Sequence, residues 1–479
     1  MFPDRRTPEL VATICALLSL LVGVAARAAG QTASMGAPGG TSQLQGSVPT
    51  GQPTGTTLQL SLKDAIDRAL KYNLAVVESD QGTRAARATR LRSLSALLPN
   101  LSAQASAAVE QLNLKTLGFN IKIPGVDIHT VVGPFSVADA RAYLSQEVFN
   151  WSDIKNYKSA AQSQQASQYA YKNDRDLVVL VTGTAYLQVI SDAATVDSDR
   201  AQVTTDQTLY DQDVDQNKAG VIASIDVLRA HVQLQTQQQQ LIAAENQLSI
   251  DKLTLGRVIG LPNGQEFQLT DSVPYAPLGE IALPQALQEA YATRPDYLSA
   301  KAQVRAAELA RQAAVAENYP TLSTNTNYGD IGTPNFGTSH GTMAFTATLN
   351  VPIFEGTRIR ADKLQADAAL EQRKAELADL GGKIDDEVRT AFFNLKSSSD
   401  LVGVAQSNIE LANRTLAQSR DRFRAGVTDN LEVVQAQQSV AAADQSYIAS
   451  LYAFNLAKIS LAEAIGIAEQ SALQYLGVR

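Results

Sequence analysis

Hydrophobic and polar residues change their spacing several times along this chain, and each change predicts a different element. In "LSLKDAIDRALKYN", Leu62, Ala65 and Ala69 recur at helical spacing, and Ser61 stands before them as a cap. A second helical segment runs on to Pro99, which has no backbone N–H to continue a helix. The patterned region is therefore predicted to begin with two helices.

After Pro99 the spacing changes from helical to alternating. In "LSAQASAAVE", from Leu101 to Glu110, apolar residues alternate with polar ones, as in a strand that has one apolar face. A second strand is predicted from Ala138 to Phe149. The segment between them, "NLKTLGFNIKIPGVDIHTVVGP", is predicted to be a long loop.

The same order of patterns returns in the second half of the chain. Pro320 matches Pro99 at an offset of 221 residues, and positions of the first helix repeat with the same offset. Alternating strands follow again, in "LSTNTNY" and from Met343 to Phe354. The sequence therefore predicts an internal duplication.

Two long helical segments, 153–217 and 356–423, follow the strand pairs. At about 1.5 Å per residue such a segment is a rod of about 100 Å, over three times the hydrocarbon thickness of a bilayer. Each rod ends at an Ala-Gly-Val turn, where Gly220 and Gly426 lie 206 residues apart, and a second helix follows. Because glycine readily takes the left-handed conformation that closes a helix, both turns are predicted to reverse the chain.

The first 57 residues lie outside the repeats. Two arginines, an apolar core from Leu10 to Ala26 and small residues predict a secretory signal peptide, with an uncleaved membrane anchor as the alternative. No later run of 18 apolar residues is uninterrupted, so no transmembrane helix is predicted. The predicted organisation is a signal peptide (1–30), a flexible arm (31–57), a first repeat (58–261), a linker (262–281), a second repeat (282–466) and a C-terminal tail (467–479).

Composition narrows the class of function. The net charge of −8 and the lack of basic runs interleaved with aromatics argue against a nucleic-acid partner. The histidines His129, His231 and His340 are far apart, and Cys15 lies inside the signal, so no metal-ligand spacing occurs. No Gly-rich nucleotide loop or Gly-x-Ser-x-Gly motif is present. The sequence therefore predicts no catalytic residue, no metal and no cofactor.

The strand pattern points to a membrane. An exported chain without an apolar helix can cross a membrane only as a closed β-barrel, because open strand edges cannot be satisfied in lipid. Strands that alternate apolar and polar residues suit such a barrel, although the edge of a soluble sandwich alternates in the same way. The four strands of one chain are too few to close a barrel, since the smallest transmembrane barrels have about eight strands. Several chains are therefore predicted to share one barrel.

The order of the motifs resembles that of the TolC-type outer-membrane efflux proteins. The matching pairs are "LSLKDAIDRALKYN" with "LLPNLSAQASA", "SQEVFNWSDIKNYKSA" with "NVPIFEGTRIRADKLQA", and the twin "AGV" turns with "SIDVLRA" and "NLEVVQA". The resemblance implies an α+β membrane protein with two structural repeats, each contributing a β-hairpin to a trimeric, twelve-stranded outer-membrane barrel. It implies that the long α-helices continue the barrel as a periplasmic tunnel.

The resemblance also implies partners and a contact surface. A homotrimer within outer-membrane lipid is expected to dock onto a periplasmic adaptor (membrane fusion) protein and an inner-membrane transporter. The turns would form the tip that contacts the adaptor, although a purely structural turn is the alternative. The adaptor-contacting residues are then Ala219, Gly220, Val221, Ala425, Gly426 and Val427.

An acidic residue follows each turn, Asp226 in the first repeat and Glu432 in the second. In the first turn of a helix, a carboxylate stabilises the helix dipole by about 0.3–1 kcal/mol. In a trimer, three copies of each would also form a ring that favours cations and is part of a gate. The predicted residues of the periplasmic entrance are Asp226, Thr428, Asp429 and Glu432.

This chain departs from the family pattern around the turns. Gln435 stands where relatives carry a second ring carboxylate, and Thr428 stands where an arginine links the tips in the best-studied relative. The aromatic residue that precedes the turn in the family is present before the second turn as Phe423, but the first turn has Asn217 instead. Asp429 with Asn430 is therefore predicted to supply other hydrogen bonds at the entrance.

The predicted function is the outer-membrane exit duct of a tripartite efflux or type I secretion system. The alternative is a periplasmic adaptor or a structural coiled-coil protein, because adaptors also carry a long helical hairpin. Adaptors usually have one hairpin between compact β domains, whereas this chain has two hairpins and alternating strand pairs.

Overall fold

The structure is a computed structural model of a single chain. It describes residues 44–118, 130–271, 275–277, 279, 281–333, 338–425, 427–428 and 430–477. The predicted signal peptide and the first part of the predicted arm lie outside the described residues.

Helices account for most of the described chain, and two of them are very long. The helices are α1 (Leu62–Tyr72), α2 (Leu74–Ser95), α3 (Trp151–Lys218), α4 (Ser224–Val258), α5 (Leu283–Thr293), α6 (Pro295–Ala316), α7 (Arg358–Arg424), α8 (Asn430–Ile465) and α9 (Ala468–Leu476). The 68 residues of α3 and the 67 of α7 confirm the two predicted rods. Ser61 caps α1 as predicted, because its side chain accepts a hydrogen bond from the Asp64 N–H at 3.1 Å.

The strands pair within two sheets. They are β1 (Leu58–Leu60), β2 (Asn100–Asn113), β3 (Val131–Phe149), β4 (Phe267–Leu269), β5 (Thr321–Thr333) and β6 (Thr338–Asn350). The four long strands confirm the four predicted ones and form an antiparallel sheet in the order β2–β3–β5–β6. Several boundaries differ from the prediction: β2 continues to Asn113, β5 continues to Thr333, and β6 begins at Thr338 rather than at Met343. β3 begins at Val131, within the predicted loop, and β6 ends before Pro352, which cannot donate to a strand ladder.

The register of the large sheet aligns the apolar residues of all four strands. Ala142 of β3 lies between Ala103 of β2 and Tyr328 of β5, and Tyr328 lies opposite Met343 of β6. A neighbouring row contains only polar residues: Asn100, Ser145, Asn325 and Thr346. Successive side chains point to opposite sides of a sheet. We call the side that carries Ala142 and Tyr328 the apolar face, and the side that carries Ser145 and Asn325 the polar face.

Each long strand is joined to one helix by seven residues or fewer. The chain enters β2 from α2 and β5 from α6, and it leaves β3 into α3 and β6 into α7. These helices pack side by side as α2–α3–α6–α7, in the same lateral order as their strands. The sheet and the helices therefore form one continuous wall.

Two helices carry apolar windows that the sequence prediction missed. α3 and α8 each contain an 18-residue window that is apolar enough, by length and composition, to cross a membrane. The prediction required an uninterrupted apolar run, and polar residues interrupt both windows. Val179 and Tyr186 of α3 and Ile459 of α8 are buried in one hydrophobic core, so these windows serve packing between helices.

Segments predicted outside the repeats pack against them where they are described. From the arm, the Val48 N–H donates to Tyr72 O at 2.9 Å. From the linker, β4 pairs in parallel with β1. From the tail, α9 buries Ala468 and Leu476 in the core that contains α3. The linker strand and the tail helix therefore share a core with the middle of α3.

The two repeats end in the same way, each at a glycine. Gly260 and Gly466 have φ angles of +70° and +84° and lie against the end of the first helix of their own repeats. A Cβ added to Gly260 would lie 2.8 Å from Tyr72 Cβ, and one added to Gly466 would lie 2.6 Å from Arg294 Cα. The duplication in the sequence therefore extends to close backbone packing.

We expect Gly466→Ala to lower the free energy of unfolding by roughly 2 kcal/mol or more, because a left-handed conformation and a clash with backbone combine. Gly220→Ala is the matched control, since its φ is +74° but no atom lies within 4 Å of its added Cβ. It should lose only roughly 1 kcal/mol. Thermal unfolding of the detergent-solubilised protein, followed by circular dichroism, measures both. Equal unfolding midpoints for the two variants would show that the close contact of Gly466 with Arg294 does not contribute to stability.

Candidate functional site

The turn between α3 and α4 is closed by backbone hydrogen bonds around Gly220. The Gly220 N–H donates to Asn217 O at 2.9 Å, and the Val221 N–H donates to Gln216 O at 2.9 Å. These two bonds form a Schellman motif, in which the residue after the helix end takes a left-handed conformation. The predicted reversal is therefore present, and it leaves Val221 71% exposed.

The turn between α7 and α8 has the equivalent bond. The Val427 N–H donates to Arg422 O at 3.0 Å, and Val427 is 68% exposed. Ala425 ends the helix, as Ala219 does in the first turn. Two predicted site residues lie outside the described residues: Gly426 and Asp429. Each turn thus presents one exposed valine beside a small residue.

The residues before the two turns differ, as the sequence indicated. Asn217 donates from its side chain to Ile222 O at 2.9 Å and so ties the first turn to itself. Phe423 instead packs against an apolar cluster that includes Leu416 and Val433. The first turn therefore uses a hydrogen bond where the second uses apolar packing.

The structure brings two predicted entrance residues together in the second turn. Thr428 donates from its hydroxyl to the Glu432 carboxylate, and Ser419 Oγ lies 3.3 Å from the other oxygen of that carboxylate. Arg422 Nη1 lies 3.4 Å from the same oxygen. In one chain, the charge of Glu432 is thus partly compensated by a neighbouring arginine.

Asp226 lies in the first turn of α4 and forms a separate contact. Its carboxylate pairs with Arg229 Nη1 at 3.1 Å. Among the described contacts within one chain, Asp226 meets neither Thr428 nor Glu432. The predicted entrance residues therefore form two groups, one in each helical hairpin.

A contact that the sequence reasoning missed joins the two hairpins. Asn430, at the start of α8, donates from its side chain to the Asp213 carboxylate on α3, and both residues are buried. The prediction named Asn430 as a source of hydrogen bonds but did not name Asp213. Burial raises the pKa of Asp213 to about 6, and Asp226 adds to the effect.

Asp213 is the last of four aspartates spaced seven residues apart on α3. The others are Asp192, Asp199 and Asp206. Gln237 of α4 donates to Asp199 at 3.1 Å, and burial raises the pKa of all four carboxyls. A heptad repeat of aspartate was readable from the sequence and would have located this buried row.

The histidines have no common site. His231 stacks on Tyr210 with ring centroids 4.9 Å apart, His340 is in β6, and His129 lies outside the described residues. In the part of the chain that the structure describes, no group of three or more His, Cys, Asp or Glu residues is placed to hold a metal. The absence of a catalytic or cofactor site stays a prediction.

Comparison with known families settles which proteins this chain is related to. The sequence profile described as outer membrane efflux protein matches residues 65–261 and 286–467. This chain belongs to the outer membrane efflux protein family. The two matched segments of the efflux protein fall in its two repeats and contain both turns.

Characterised relatives are similar over most of the efflux protein. The pyoverdine export outer membrane protein OpmQ of Pseudomonas aeruginosa is 28% identical over 437 residues, which are 87% of each chain. Outer membrane protein TolC of Escherichia coli is 21% identical over 352 residues, which are 69% of this chain and 70% of TolC.

Solved structures show the same fold. The CmeC outer membrane channel of Campylobacter jejuni superposes with a TM-score of 0.73 at 16% identity, over 89% of this chain and 92% of CmeC. The MtrE channel of Neisseria gonorrhoeae gives 0.72 at 15% identity, over 88% and 95% of the two chains. Family and fold together make the efflux protein an outer-membrane channel whose long helices lie in the periplasm.

Proposed function

We propose that this efflux protein is the exit duct of a tripartite export system, in which three copies share one barrel and one tunnel. The observation that carries this proposal is the continuous wall, in which four strands with a common apolar face lead into four helices in the same order. The strands at the two sides of the sheet, β2 and β6, must find partners in lipid. Pairing β2 of one copy with β6 of the next provides them.

Exposed apolar residues on the long helices support the association of copies. They recur at heptad spacing on α4 and α7: Ile225, Leu228, Val232, Ile242 and Leu253 on α4, and Leu401, Val404 and Leu411 on α7. Stripes of this kind are covered when helices pack as in a coiled coil. A second copy of this chain supplies such helices, which supports a tunnel wall shared between copies.

We assign the turns to contact with a periplasmic adaptor. The contact residues are Ala219, Gly220, Val221, Ala425, Gly426 and Val427. Exposed valines beside alanine and glycine let partner helices approach closely, and the energy for export then comes from an inner-membrane transporter. The family match favours this role over the alternative of an adaptor.

The entrance to the tunnel lies at the same end of the helices. We assign Asp226, Thr428, Asp429 and Glu432 to it. Three copies of two carboxylates around one axis favour cations. Because Arg422 contacts Glu432, that ring carries less negative charge than the sequence indicates.

We expect Val221→Cys, carrying a photo-cross-linker in cells, to capture the adaptor and to co-purify the inner-membrane transporter. Val109→Cys is the matched control, since Val109 is as exposed as Val221 but lies on the sheet. Mass spectrometry of the cross-linked bands identifies the partners. Capture of the same proteins by both variants, or of no envelope protein by Val221→Cys, would contradict the assignment of the tip.

We infer that the duct passes substrates without selecting among them. Relatives are named for pyoverdine export, toluene efflux and cation efflux, so related chains serve unlike substrates. We infer that selection lies in the transporter, for both efflux and type I secretion.

A further inference from the structure

An ion pair lies on the polar face of the large sheet. Asp139 and Arg141 of β3 alternate with Ala138, Ala140 and Ala142, which lie on the apolar face. The side chains of Asp139 and Arg141 are only 19% and 25% exposed, whereas Ala140 and Ala142 are exposed. The two side chains therefore cover each other on the polar face, while Ala140 and Ala142 lie open on the other side.

The pair has the geometry of a two-point contact within one strand. Arg141 Nε donates to Asp139 Oδ1 at 2.6 Å, and Arg141 Nη2 donates to Asp139 Oδ2. The guanidinium carbon also lies 5.9 Å from the ring centroid of Tyr143, on the same face. Two parallel hydrogen bonds between guanidinium and carboxylate fix both direction and distance.

The neighbouring strands leave room for the arginine. Arg141 lies opposite Gln104 of β2 and Gly329 of β5. A Cβ added to Gly329 would lie 2.7 Å from Arg141 Cγ and 2.1 Å from Ala140 O. Any larger residue would displace the arginine stem, so Gly329 lets it lie close to the sheet.

We propose that the Asp139–Arg141 pair sets the charge selectivity of the barrel, because it places equal and opposite charge on the wall that surrounds the pore. The inference rests on the proposed function, since the polar face lines water only when several copies close the barrel. Rings of like charge select ions of the opposite sign. A ring of closed pairs instead lets charged solutes of either sign pass this level.

Other carboxylates on the polar face lie farther along the strands. Glu110 is opposite Phe135, and Glu147 is six residues beyond Arg141. At about 3.4 Å per residue, Glu110 lies about 14 Å along the strands from Asp139, and Glu147 lies about 20 Å from Arg141. Both distances exceed the Debye length of about 10 Å at 0.1 M salt. These groups, and the carboxylates assigned to the entrance, therefore add a background of cation preference that every variant shares.

The test is the reversal potential of the purified protein in planar lipid bilayers under a gradient of potassium chloride. Arg141→Gln leaves three unpaired carboxylates and should raise the permeability ratio of potassium to chloride several-fold. Asp139→Asn leaves three unpaired guanidinium groups and should lower the ratio several-fold. The double variant lacks both charges of the pair and so has the same net charge as the wild type, and its reversal potential should return to that of the wild type.

The outcomes separate this inference from the proposed function. Unchanged reversal potentials in both single variants, or shifts in the same direction, would overturn the inference while the channel stands. A wild-type protein that conducts no ions would overturn the proposed function, and the inference with it. Oligomers on unboiled gels confirm assembly of each variant, and the double variant shows whether charge rather than misfolding causes the shifts.

Discussion

Gly220→Pro is expected to abolish export while oligomers still assemble in the outer membrane. The turn needs a φ of +74° at this position and a hydrogen bond from its N–H to Asn217 O. Proline is fixed near −65° and has no N–H, so it fails on both counts. The sheet and its helices lie at the other end of the rods, and they should still bring the copies together.

The measurement is growth of a host that lacks its own duct, in the presence of an exported toxic compound, with unboiled gels to show oligomers. Gly220→Asn is the matched control, because asparagine tolerates the left-handed conformation and keeps the N–H. It should retain most export. Normal export from Gly220→Pro would show that the first turn has no role in docking.

Asp213→Asn is expected to stabilise the helical hairpins at neutral pH. The folded-state pKa of Asp213 is raised from 3.8 to about 6, chiefly because burial disfavours the charged carboxylate. The folded state therefore holds the proton more tightly than the unfolded state, and stability falls as pH rises from about 4 to about 6. At about 1.4 kcal/mol per pKa unit, this costs roughly 3 kcal/mol at neutral pH.

The hydrogen bonding between Asp213 and Asn430 also predicts that Asp213→Asn is stabilising. Asp213 Oδ1 and Asn430 Oδ1 are both buried without a hydrogen-bond partner in the described part of the chain. An asparagine at position 213 can donate to Asn430 Oδ1 while its own oxygen still accepts from Asn430. A protonated Asp213 can do the same, so acid and the substitution should have equivalent effects.

Thermal unfolding at about pH 5 and about pH 7 tests this expectation. The wild type should be more stable at the lower pH, and Asp213→Asn should be more stable than the wild type at the higher pH. Asp215→Asn is the control, since Asp215 is exposed and pairs with the exposed Lys218 at 3.0 Å. It should change stability by no more than about 0.5 kcal/mol. Destabilisation by Asp213→Asn at neutral pH would show that the charged carboxylate is needed.

Local patterns in the sequence predicted most of the fold, because each depends on residues close together in the chain. The reversal at Gly220, the cap at Ser61 and the alternation of β2 are examples. The contact of Asp213 with Asn430 joins residues 217 positions apart, and no local spacing reveals such a pair. Only the heptad row of aspartates that ends at Asp213, which the prediction did not use, could have indicated a buried polar residue there.

The Asp139–Arg141 pair shows a second kind of contact that local sequence patterns do not predict. Alternation places both side chains on the polar face, but their protection depends on Gly329, which reaches Arg141 only through the register of β3 with β5. That register follows from the alignment of apolar residues across the whole sheet. The predicted strand ends, by contrast, were wrong beside the turns of both hairpins, where the strands are longer than predicted, and at Pro352.

The strands and the helices share one lateral order, so four strands and four helices must span nearly the same width where they join. Neighbouring strands lie about 4.8 Å apart, whereas packed helices lie about 8–10 Å apart, so the same four units need a wider arc below the sheet. Between α3 and α6, Ser159 Oγ donates to Ala306 O at 2.8 Å, and Ser299 Oγ donates to Ala166 O at 2.9 Å. Such bonds require adjacent helix backbones to be close. Small residues at this seam thus bring the two helices close together, so that the arc of the four helices comes nearer to the width of the four strands.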